Sequence, residues 1–342
     1  MRLTNPAEVT RKTPRQRPSV GEDSRLAEVV TFPALAHRTI SFINSMICKH
    51  GGFALHKSWE AVPVRSSGIN VTLDACLQAP LSSPQSLKPT ERREATTDWS
   101  PKIRQGSYQL RLASTEADRV AAFRLRFLVF NLELNEGLEC AYVTGQDTDE
   151  FDGICDHLIV EHAGTGKIVG NYRLQTGVTA SLNAGFYSER EFDFSPYKQL
   201  GSSVIELGRA CVHRDHRSSE VLYLLWRGIA QYAIHHGGRY LIGCSSLTSQ
   251  VPAHGTAVYE AMQEHLVEPH LRTTPQPAFA MPMSSAENAS DKVPKLLRAY
   301  LAVGAKICGP PAIDREFKTI DFLTLLDLEA LHPRVYSRFM KI

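Results

Sequence analysis

The segment from Ser203 to His213, SVIELGRACVH, decides the fold that the sequence predicts. Its apolar residues indicate a buried strand, yet Glu206 and Arg209 lie in its middle. Charged side chains inside an apolar strand are unfavourable unless they are paired or used. Residues three apart in a regular strand face opposite ways. A β-bulge at Gly208 would return both side chains to one face and splay the neighbouring strand, an arrangement favoured beside active sites.

The strand leads into a basic turn and then into a strongly apolar helix at 218–236. Serines at the start of that helix are suited to cap it. Free N–H groups at a helix N-terminus attract anions, and two arginines stand beside them. Such a turn can hold the phosphate of a phosphopantetheine arm. We therefore predict an acyl-donor site made of Val212, His213, Arg214, Arg217, Ser218 and Ser219.

Strands and helices alternate on both sides of this centre. Apolar periodicity and turn residues predict strands at 107–113, 157–163, 167–176, 239–247, 305–309 and 319–328. The same signals predict helices at 116–134, 185–197, 252–265, 294–303 and 329–340. The order predicts an α/β (α+β) fold, a mixed central sheet with helices on both faces and a bulged, splayed central strand.

The charge of the chain divides it into two parts. Residues 1–105 hold 15 Lys and Arg against 9 Asp and Glu, a net of +6, whereas residues 106–342 hold 23 against 27, a net of −4. We expect 1–105 to be a basic, largely disordered extension with one candidate helix at 34–48, and 106–342 to be the enzyme domain. The total of +2 argues against a dedicated nucleic-acid binder.

The seven cysteines are scattered, odd in number and without a CxxC pair, which is typical of a reducing compartment. No apolar run reaches the ~18 residues needed to span a bilayer. We therefore expect a cytoplasmic protein.

Several linked segments carry a resemblance to a known family. They include FRLRFLVF (123–130), DEFDGICDHLIV (149–160), IVGNYRL (168–174), IELGRACVHRDHR (205–217) and YLAVGAKICGPPAIDREFKTIDFLTLL (300–326). Over roughly residues 108–341 the chain resembles the GNAT-type acyltransferases, and within them the ornithine-acyl[acyl carrier protein] N-acyltransferase group. More distantly, it resembles acyl-homoserine lactone synthases through R-x-x-V-F, D-x-x-D, G-x-x-R-L and E-x-x-R.

The resemblance implies transfer of a 3-hydroxy fatty acyl group from acyl carrier protein to the α-amino group of ornithine, giving lyso-ornithine lipid. Glu206 is the candidate base, because the amine is largely protonated at neutral pH. A backbone N–H near Ala210–Val212 would stabilise the oxyanion. The acceptor pocket is expected to comprise Arg126, Phe130, Asp149, Asp152, Arg173 and Arg209.

Structural roles for these residues remain open at this point. Glu206 would instead neutralise Arg209 or Arg173 in a buried pair, and the remaining charges would order the loop before Asp156. Phe130 fits the core or an acyl-tunnel wall better than a specific contact. His213 and His216 lack the companions of a known metal motif, so we expect no metal.

The donor turn departs from the general GNAT pattern R/Q-x-x-G-x-G/A. Glu220 and Leu222 stand where that pattern has small residues. An acidic residue suits a pyrophosphate poorly, which favours acyl carrier protein over acyl-CoA as the donor. The donor is a co-substrate, and no bound cofactor is expected.

Other functions would use the same fold. They are an N-acyltransferase for glycine or tyrosine, an acyl-homoserine lactone synthase, and a non-catalytic module that binds lipid or carrier protein. Because the product would stay in the membrane, we expect peripheral association with the inner membrane face, helped by attraction of the basic N-terminal region to anionic lipid. That region would otherwise be an over-long gene start.

Overall fold

The computed structural model describes residues 99–285 and 292–340. Residues 1–98 of the predicted extension, including its candidate helix at 34–48 and most of its basic residues, lie outside these ranges. Within them the strands form one mixed sheet in the order β1-β2-β3-β4-β5-β6-β9-β7, with β8 paired to β9. The strands are β1 (Ile103–Gln105), β2 (Tyr108–Leu112), β3 (Asp156–His162), β4 (Lys167–Thr176), β5 (Val204–Val212), β6 (Tyr240–Leu247), β7 (Lys306–Ile307), β8 (Ala312–Asp314) and β9 (Thr319–Asp327).

The α-helices of the described residues are α1 (Glu116–Phe127), α2 (Ala141–Thr144), α3 (Gly177–Leu182), α4 (Ser219–His235), α5 (Pro252–Glu260), α6 (Lys295–Ala302) and α7 (Pro333–Phe339). Thr115 caps α1 through a capping box with Asp118. The predicted end of that helix is a π-helix, Leu128–Glu133.

The two faces of the sheet differ in character. Tyr172, Leu174 and Ile205 pack with helix α4 in the largest apolar cluster, and we call this side the apolar face. Side chains alternate along a strand, so Arg173 and Glu206 point to the opposite side, here called the polar face. Helix α1 lies on the polar face, where its Arg126 meets Asp152. Helices therefore cover both faces, as predicted.

The predicted bulge is present in β5. Asn171 pairs with Cys211 and Arg173 with Gly208, so β5 carries one extra residue between these pairs. The left-handed residue is Arg209 (φ 48°) and not Gly208. The side-chain amide of Asn171 donates to the carbonyl oxygen of Arg209 over 3.0 Å. This bond holds the bulge and turns Arg209 to the polar face beside Glu206.

Strands β5 and β6 are splayed, as predicted. Their parallel pairing covers Val204–Glu206 and ends where Glu206 faces Ile242. Just beyond this pair the two backbones still approach closely, since a Cβ at Gly243 would lie 2.2 Å from the carbonyl oxygen of Leu207. The residues of β5 after Glu206 have no pairing partner on β6, and an opening forms between the two strands.

Some shorter elements differ from the predictions. The short helix with a turn that the sequence predicts at 185–197 is replaced by 3₁₀ segments at Tyr187–Arg190 and Ser195–Ser203, the second of which is interrupted at Gly201. Strand β8 was missed because three residues are too few to show a period. Strand β1 lies before the predicted boundary at 105, and Trp99 stacks on His235 at 4.1 Å between ring centroids. No helix of the described residues combines the length and apolarity that crossing a membrane requires.

Candidate active site

Three arginines and three aspartates form a buried charge cluster on the polar face. Arg126 is fully buried and donates from Nε to Oδ1 of Asp147 over 2.7 Å. Its Nη1 and Nη2 donate to the two oxygens of Asp152 over 2.7 and 3.0 Å. These contacts tie α1 to the loop that precedes β3.

The other two arginines come from β4 and β5. Nη1 of Arg173 donates to Oδ1 of Asp149 over 2.5 Å and to Oδ1 of Asp152 over 3.1 Å. Nη2 of Arg209 donates to Oδ2 of Asp149 over 2.9 Å, and its Nε lies 3.3 Å from Oδ1 of Asp147. Burial acts to raise the pKa of Asp149, but the charges of Arg173 and Arg209 outweigh it and hold that pKa below its ordinary value. The charges of Arg126 and Arg173 likewise lower the pKa of Asp152 against the effect of its burial, so Asp149 and Asp152 are carboxylates near neutral pH.

The structure brings together every residue of the predicted acceptor set. Phe130 packs in a small apolar cluster with Leu125, Val129 and Cys211, and it also borders the cavity described below. Asp147 belongs to the same charge cluster but was not predicted, because the loop at 135–155 has no periodicity from which its position follows. It completes a balance of three positive and three negative charges.

Glu206 lies apart from these ion pairs. Its Oε2 accepts from the backbone N–H of Tyr187 over 2.8 Å, and its Oε1 accepts from that of Ser188 over 2.8 Å. No ion pair joins Glu206 to a cationic side chain of the described residues, so it does not neutralise Arg173 or Arg209 by direct contact. Burial raises the pKa of Glu206, although hydrogen bonds from the side chain and backbone of Ser188 and from the backbone of Tyr187 act to lower it. A raised pKa suits a carboxylate that must accept a proton.

A cavity of about 270 Å³ occupies the opening between β5 and β6, and we call it the central cavity. On the polar face its wall includes Arg173, Glu206 and Arg209. On the apolar face its wall comprises Tyr172, Leu207, Trp226, Leu241, Leu296, Leu297, Tyr300 and Leu326. The cavity therefore passes through the sheet, from a charged end to a hydrophobic end.

A second apolar pocket adjoins the hydrophobic end. It shares Trp226, Leu296 and Tyr300 with the central cavity. It also shares Leu241 and Leu326 of the sheet with that cavity, and most of its remaining wall comes from helices α4, α6 and α7. A hydrocarbon chain can thus extend from the central cavity between these helices.

Three further carboxylates, which were not predicted from the sequence, line the charged end of the central cavity. Oxygen atoms of Glu191, Asp314 and Asp321 lie within 4.8 Å of one another, and the three residues are buried. We call them the acidic cluster. Burial, then the charges of Asp321 and Asp314, raise the pKa of Glu191 well above its ordinary value. Three carboxylate ligands so close together have the chemistry to hold a cation, either a metal ion or an ammonium group.

The predicted donor turn follows the end of β5 and leads into α4. Ser218 caps α4 by accepting from the backbone N–H of Val221, and Ser219 is the first helical residue. Arg217 donates from Nη1 and Nη2 to the carboxylate of Glu133 over 2.6 and 2.8 Å, and from Nε to the carbonyl oxygen of Val212 over 3.1 Å. Arg217 thus fastens the turn to the π-helix.

The other basic residues of the turn are more accessible. The side chain of Arg214 is 71% exposed and that of His213 is 31% exposed. The hydroxyl of Tyr108 lies 3.1 Å from Nδ1 of His216, which fixes that ring against β2. Burial lowers the pKa of His216, and the neighbouring His213 and His162 lower it further.

Comparison with known proteins defines the class first. Residues 125–227 match the model of the acetyltransferase (GNAT) domain, a stretch that runs from α1 through the bulged strand into α4. The mixed sheet, bulge and splayed strands are the architecture expected for that class. The protein is therefore an N-acyltransferase of the GNAT type.

Three curated relatives narrow the class. L-ornithine N(alpha)-acyltransferase of Rhodobacter capsulatus is 32% identical over 68% of this chain and 95% of its own length. The proteins of the same name from Brucella abortus and Agrobacterium fabrum are 34% and 31% identical, again over 68% of this chain, with 89% and 85% of their own lengths covered. This chain belongs to the L-ornithine N(alpha)-acyltransferase family.

Solved structures give weaker matches. The AHL synthase LasI matches with a TM-score of 0.40 and 12% identity, over 70% of this chain and 95% of that one. FeeM, an N-acyl amino acid synthase, matches with a TM-score of 0.39 and 11% identity, over 68% and 92%. Likenesses at these TM-scores carry no conclusion about this chain.

Proposed function

We propose that the protein transfers a 3-hydroxy fatty acyl group from acyl carrier protein to the α-amino group of L-ornithine, giving lyso-ornithine lipid. The observation that carries the proposal is the position of buried Glu206 on the wall of a cavity that is charged at one end and apolar at the other. Such a cavity fits an acceptor that is an amino acid and a donor that carries a long hydrocarbon chain.

Glu206 is the proposed base. The backbone N–H groups of Tyr187 and Ser188 and the side chain of Ser188 use three of the roughly four acceptor sites of the carboxylate, which leaves about one for the proton of the acceptor ammonium. Loss of that proton frees the amine to attack the thioester carbonyl. The amide bond forms, the carbon–sulfur bond breaks, and the thiol of the phosphopantetheine arm leaves with a proton.

The splayed part of β5 is the proposed oxyanion site. After Glu206 the strand has no partner on β6, and the bulge at Arg209 redirects the backbone that follows it. Backbone N–H groups in this stretch, near Ala210–Val212, are available to the tetrahedral intermediate. Donors fixed in place before the reaction stabilise a developing negative charge strongly.

The apolar end of the central cavity is the proposed site of the acyl chain. Trp226 and Tyr300 line both this end and the adjoining pocket between helices α4, α6 and α7. Each buried CH₂ group contributes about 0.8 kcal/mol to binding. A fatty acyl chain therefore gains far more here than an acetyl group does.

Acyl carrier protein is the proposed donor, at the turn that includes His213, Arg214, Arg217, Ser218 and Ser219. Glu220 follows on the first turn of α4, where its carboxylate packs against Gly106. A carboxylate so close to the helix N-terminus disfavours a pyrophosphate, whereas a single phosphate beside Arg214 and His213 needs fewer donors. We further propose peripheral association with the inner membrane face, since the product is a lipid.

A donor and acceptor matrix tests the proposal. The purified full-length protein is given 3-hydroxyacyl carrier protein or 3-hydroxyacyl-CoA, each with ornithine, glycine, tyrosine or S-adenosylmethionine. The proposal expects an alkali-stable ornithine amide with the carrier protein. Turnover with acyl-CoA alone would refute the donor. Preference for glycine, tyrosine or S-adenosylmethionine would refute the acceptor, and no turnover with any pair would favour a binding module.

A further inference from the structure

The charges around the central cavity leave one group of carboxylates without a counter-ion. Three arginines are matched by Asp147, Asp149 and Asp152. No cationic side chain of the described residues lies within 4.0 Å of the acidic cluster, Glu191, Asp314 and Asp321. Buried like charges at such separations repel strongly, so the cluster is suited to a cation that comes from outside the chain.

The three carboxylates of the acidic cluster differ in the hydrogen bonds that they accept from the protein. Oδ1 of Asp314 accepts from the backbone N–H groups of Glu316 and Phe317 over 2.8 and 2.9 Å. Asp321 accepts from the hydroxyls of Ser246 and Thr319. These bonds fix both carboxylates in place.

The carboxylate of Glu191 has weaker hydrogen-bond partners than those of Asp314 and Asp321. Among the described residues, its Oε2 accepts only a thiol contact, from Sγ of Cys244 over 3.6 Å, although Glu191 is 2% exposed. A thiol is a weak donor. Glu191 is therefore the member of the acidic cluster best placed to accept from a ligand.

A second, independent observation also points to a ligand in this cavity. Nη2 of Arg173 and Oε1 of Gln175 have no hydrogen-bond partner among the described residues. Both side chains line the central cavity, and both are at least 97% buried. An unpaired guanidinium N–H calls for an anion, whereas an unpaired amide oxygen calls for a donor. A molecule that carries a carboxylate and ammonium groups supplies both.

A short chain of contacts connects Glu206 to the acidic cluster. Glu206 accepts from the backbone N–H of Ser188, and Sγ of Cys244 lies 3.4 Å from Oγ of Ser188 and 3.6 Å from Oε2 of Glu191. Glu206 and Glu191 therefore both lie close to Ser188 and Cys244 on the wall of the same cavity. A diamino acid such as ornithine carries one nitrogen atom at each end of a short carbon chain, so it can present one to Glu206 and the other to the acidic cluster.

We propose that the acidic cluster binds the side-chain ammonium group of the amino-acid acceptor while Nη2 of Arg173 binds its carboxylate. This arrangement leaves the α-amino group at Glu206. It makes the protein selective for a basic amino acid of one side-chain length. The inference rests on the proposed function, since it places the acceptor of that reaction.

The test compares ornithine with norvaline, which has the same carbon skeleton and lacks the side-chain ammonium group. Calorimetric titration measures the binding of each to the full-length wild type, Glu191→Gln and Asp321→Asn. Wild type should bind ornithine more tightly than norvaline, and both variants should lose about 10- to 100-fold in ornithine affinity, as expected for a hydrogen bond to a charged group. Norvaline affinity should change by no more than about twofold, which is within ordinary mutational background.

Two matched probes sharpen the test. Glu189→Gln removes a carboxylate from the same 3₁₀ turn, one that accepts from the backbone N–H of Phe186 outside the cavity wall, and it should leave the preference unchanged. Lysine, one methylene longer, should bind more weakly than ornithine. If Glu191→Gln unfolds, as judged by thermal melting, Asp321→Asn carries the comparison.

Three results would overturn the inference. Equal losses of ornithine and norvaline affinity would mean a structural role for the acidic cluster. An unchanged ornithine preference in both variants would place the ammonium group elsewhere. Stoichiometric Mn²⁺ or Mg²⁺ binding that Glu191→Gln abolishes, with the ornithine preference intact, would make the cluster a metal site. In each case wild-type turnover of ornithine would leave the proposed function standing, whereas its absence would refute that function.

Discussion

At the scale of single residues, Glu206 is distinguished by what holds it. Its buried carboxylate accepts from two backbone N–H groups, which fix its position, and it is not neutralised by an ion pair with a cationic side chain of the described residues. The two charges that stood out in SVIELGRACVH therefore have different partners: Arg209 joins the aspartates, and Glu206 faces the cavity. This separation is what makes a catalytic role for Glu206 testable.

Glu206→Gln tests that role. Removal of a general base should lower kcat about 10²- to 10⁴-fold. The variant should remain folded but lose about 1–3 kcal/mol of stability, because glutamine offers one oxygen to two backbone N–H groups. Steady-state kinetics and denaturant unfolding measure the two effects.

The pH profile adds an independent check. Wild-type kcat should rise as pH increases through the raised pKa of Glu206, because only the carboxylate accepts a proton. Glu189→Gln is the matched control and should keep wild-type kcat. A Glu206→Gln variant with wild-type kcat would show that the residue has no part in proton transfer.

The burial of Asp321 leads to a separate prediction about how the free energy of unfolding depends on pH. Burial raises its pKa to about 6, so the folded state holds the proton to higher pH than the unfolded state does. The stability that the protonated form contributes is lost as pH rises from about 4 through 6, up to about 3 kcal/mol.

Asp321→Asn removes that loss. The variant should exceed the wild type by about 1–3 kcal/mol in unfolding free energy at pH 8, and the difference should shrink towards pH 4. Urea unfolding across this pH range measures it. A variant that is less stable than the wild type at pH 8 would contradict the account, because the carboxylate would then be favourable in the fold.

At the scale of elements, the splay of β5 from β6 shapes the central cavity. Gly243→Ala tests it, since the added Cβ would lie 2.2 Å from the carbonyl oxygen of Leu207 and would push the strands apart. We expect a loss of about 1–3 kcal/mol in unfolding free energy, as for overpacked cores, together with reduced activity. Gly153→Ala, where the new Cβ would have no atom within 4 Å, is the control. Equal stability of the two variants would mean that the close approach is not needed.

Arg217, in the turn between β5 and α4, could either position the turn or bind the donor phosphate directly, and these two roles can be distinguished by mutation. Both of its terminal nitrogens donate to Glu133, so we expect Arg217 to position the turn rather than to bind the donor phosphate alone. Glu133→Gln and Arg217→Ala should then raise the donor KM by similar factors, with kcat little changed. If only Arg217→Ala raised the donor KM, direct phosphate binding would be the better explanation.

Periodic elements were predictable from the sequence, and the central features of the site were partly so. Apolar alternation placed β4, β5 and β6, and the unusual Glu206 and Arg209 indicated the bulge, which is present. Phe130, Arg126 and the two D-x-x-D aspartates followed from the resemblance. The structure brings these residues together, while their roles in binding remain proposals.

Three of the missed residues share a physical cause. Asp147, Glu191 and Asp314 lie in loops, short turns or a three-residue strand, where no period marks a buried position. Asp321 lies in the predicted strand β9, but its approach to Glu191 depends on tertiary contacts. Asn171 sits in a predicted strand, but its bond to the carbonyl oxygen of Arg209 depends on a bulge geometry that spacing alone does not give. Tertiary contacts between distant segments decide these sites.

At the scale of the whole molecule, the sheet separates two chemistries and the central cavity joins them. The polar face carries the charge cluster, Glu206 and the acidic cluster, whereas the apolar face carries the walls suited to an acyl chain. The reaction is proposed to occur where the strands part, because only there do an amino acid and a fatty acyl thioester meet. In the proposed orientation, the α-amino group of the acceptor lies at Glu206 and its side-chain ammonium group lies at the acidic cluster.

The most direct test locates the new amide bond. Ornithine labelled with ¹⁵N at the α position is incubated with 3-hydroxyacyl carrier protein and the full-length protein, and tandem mass spectrometry of the product assigns the acylated nitrogen. We expect the acyl group on the labelled α-nitrogen, with the unlabelled side-chain amine free. A product acylated on the side-chain nitrogen would contradict this expectation, since that amine would then have been at Glu206.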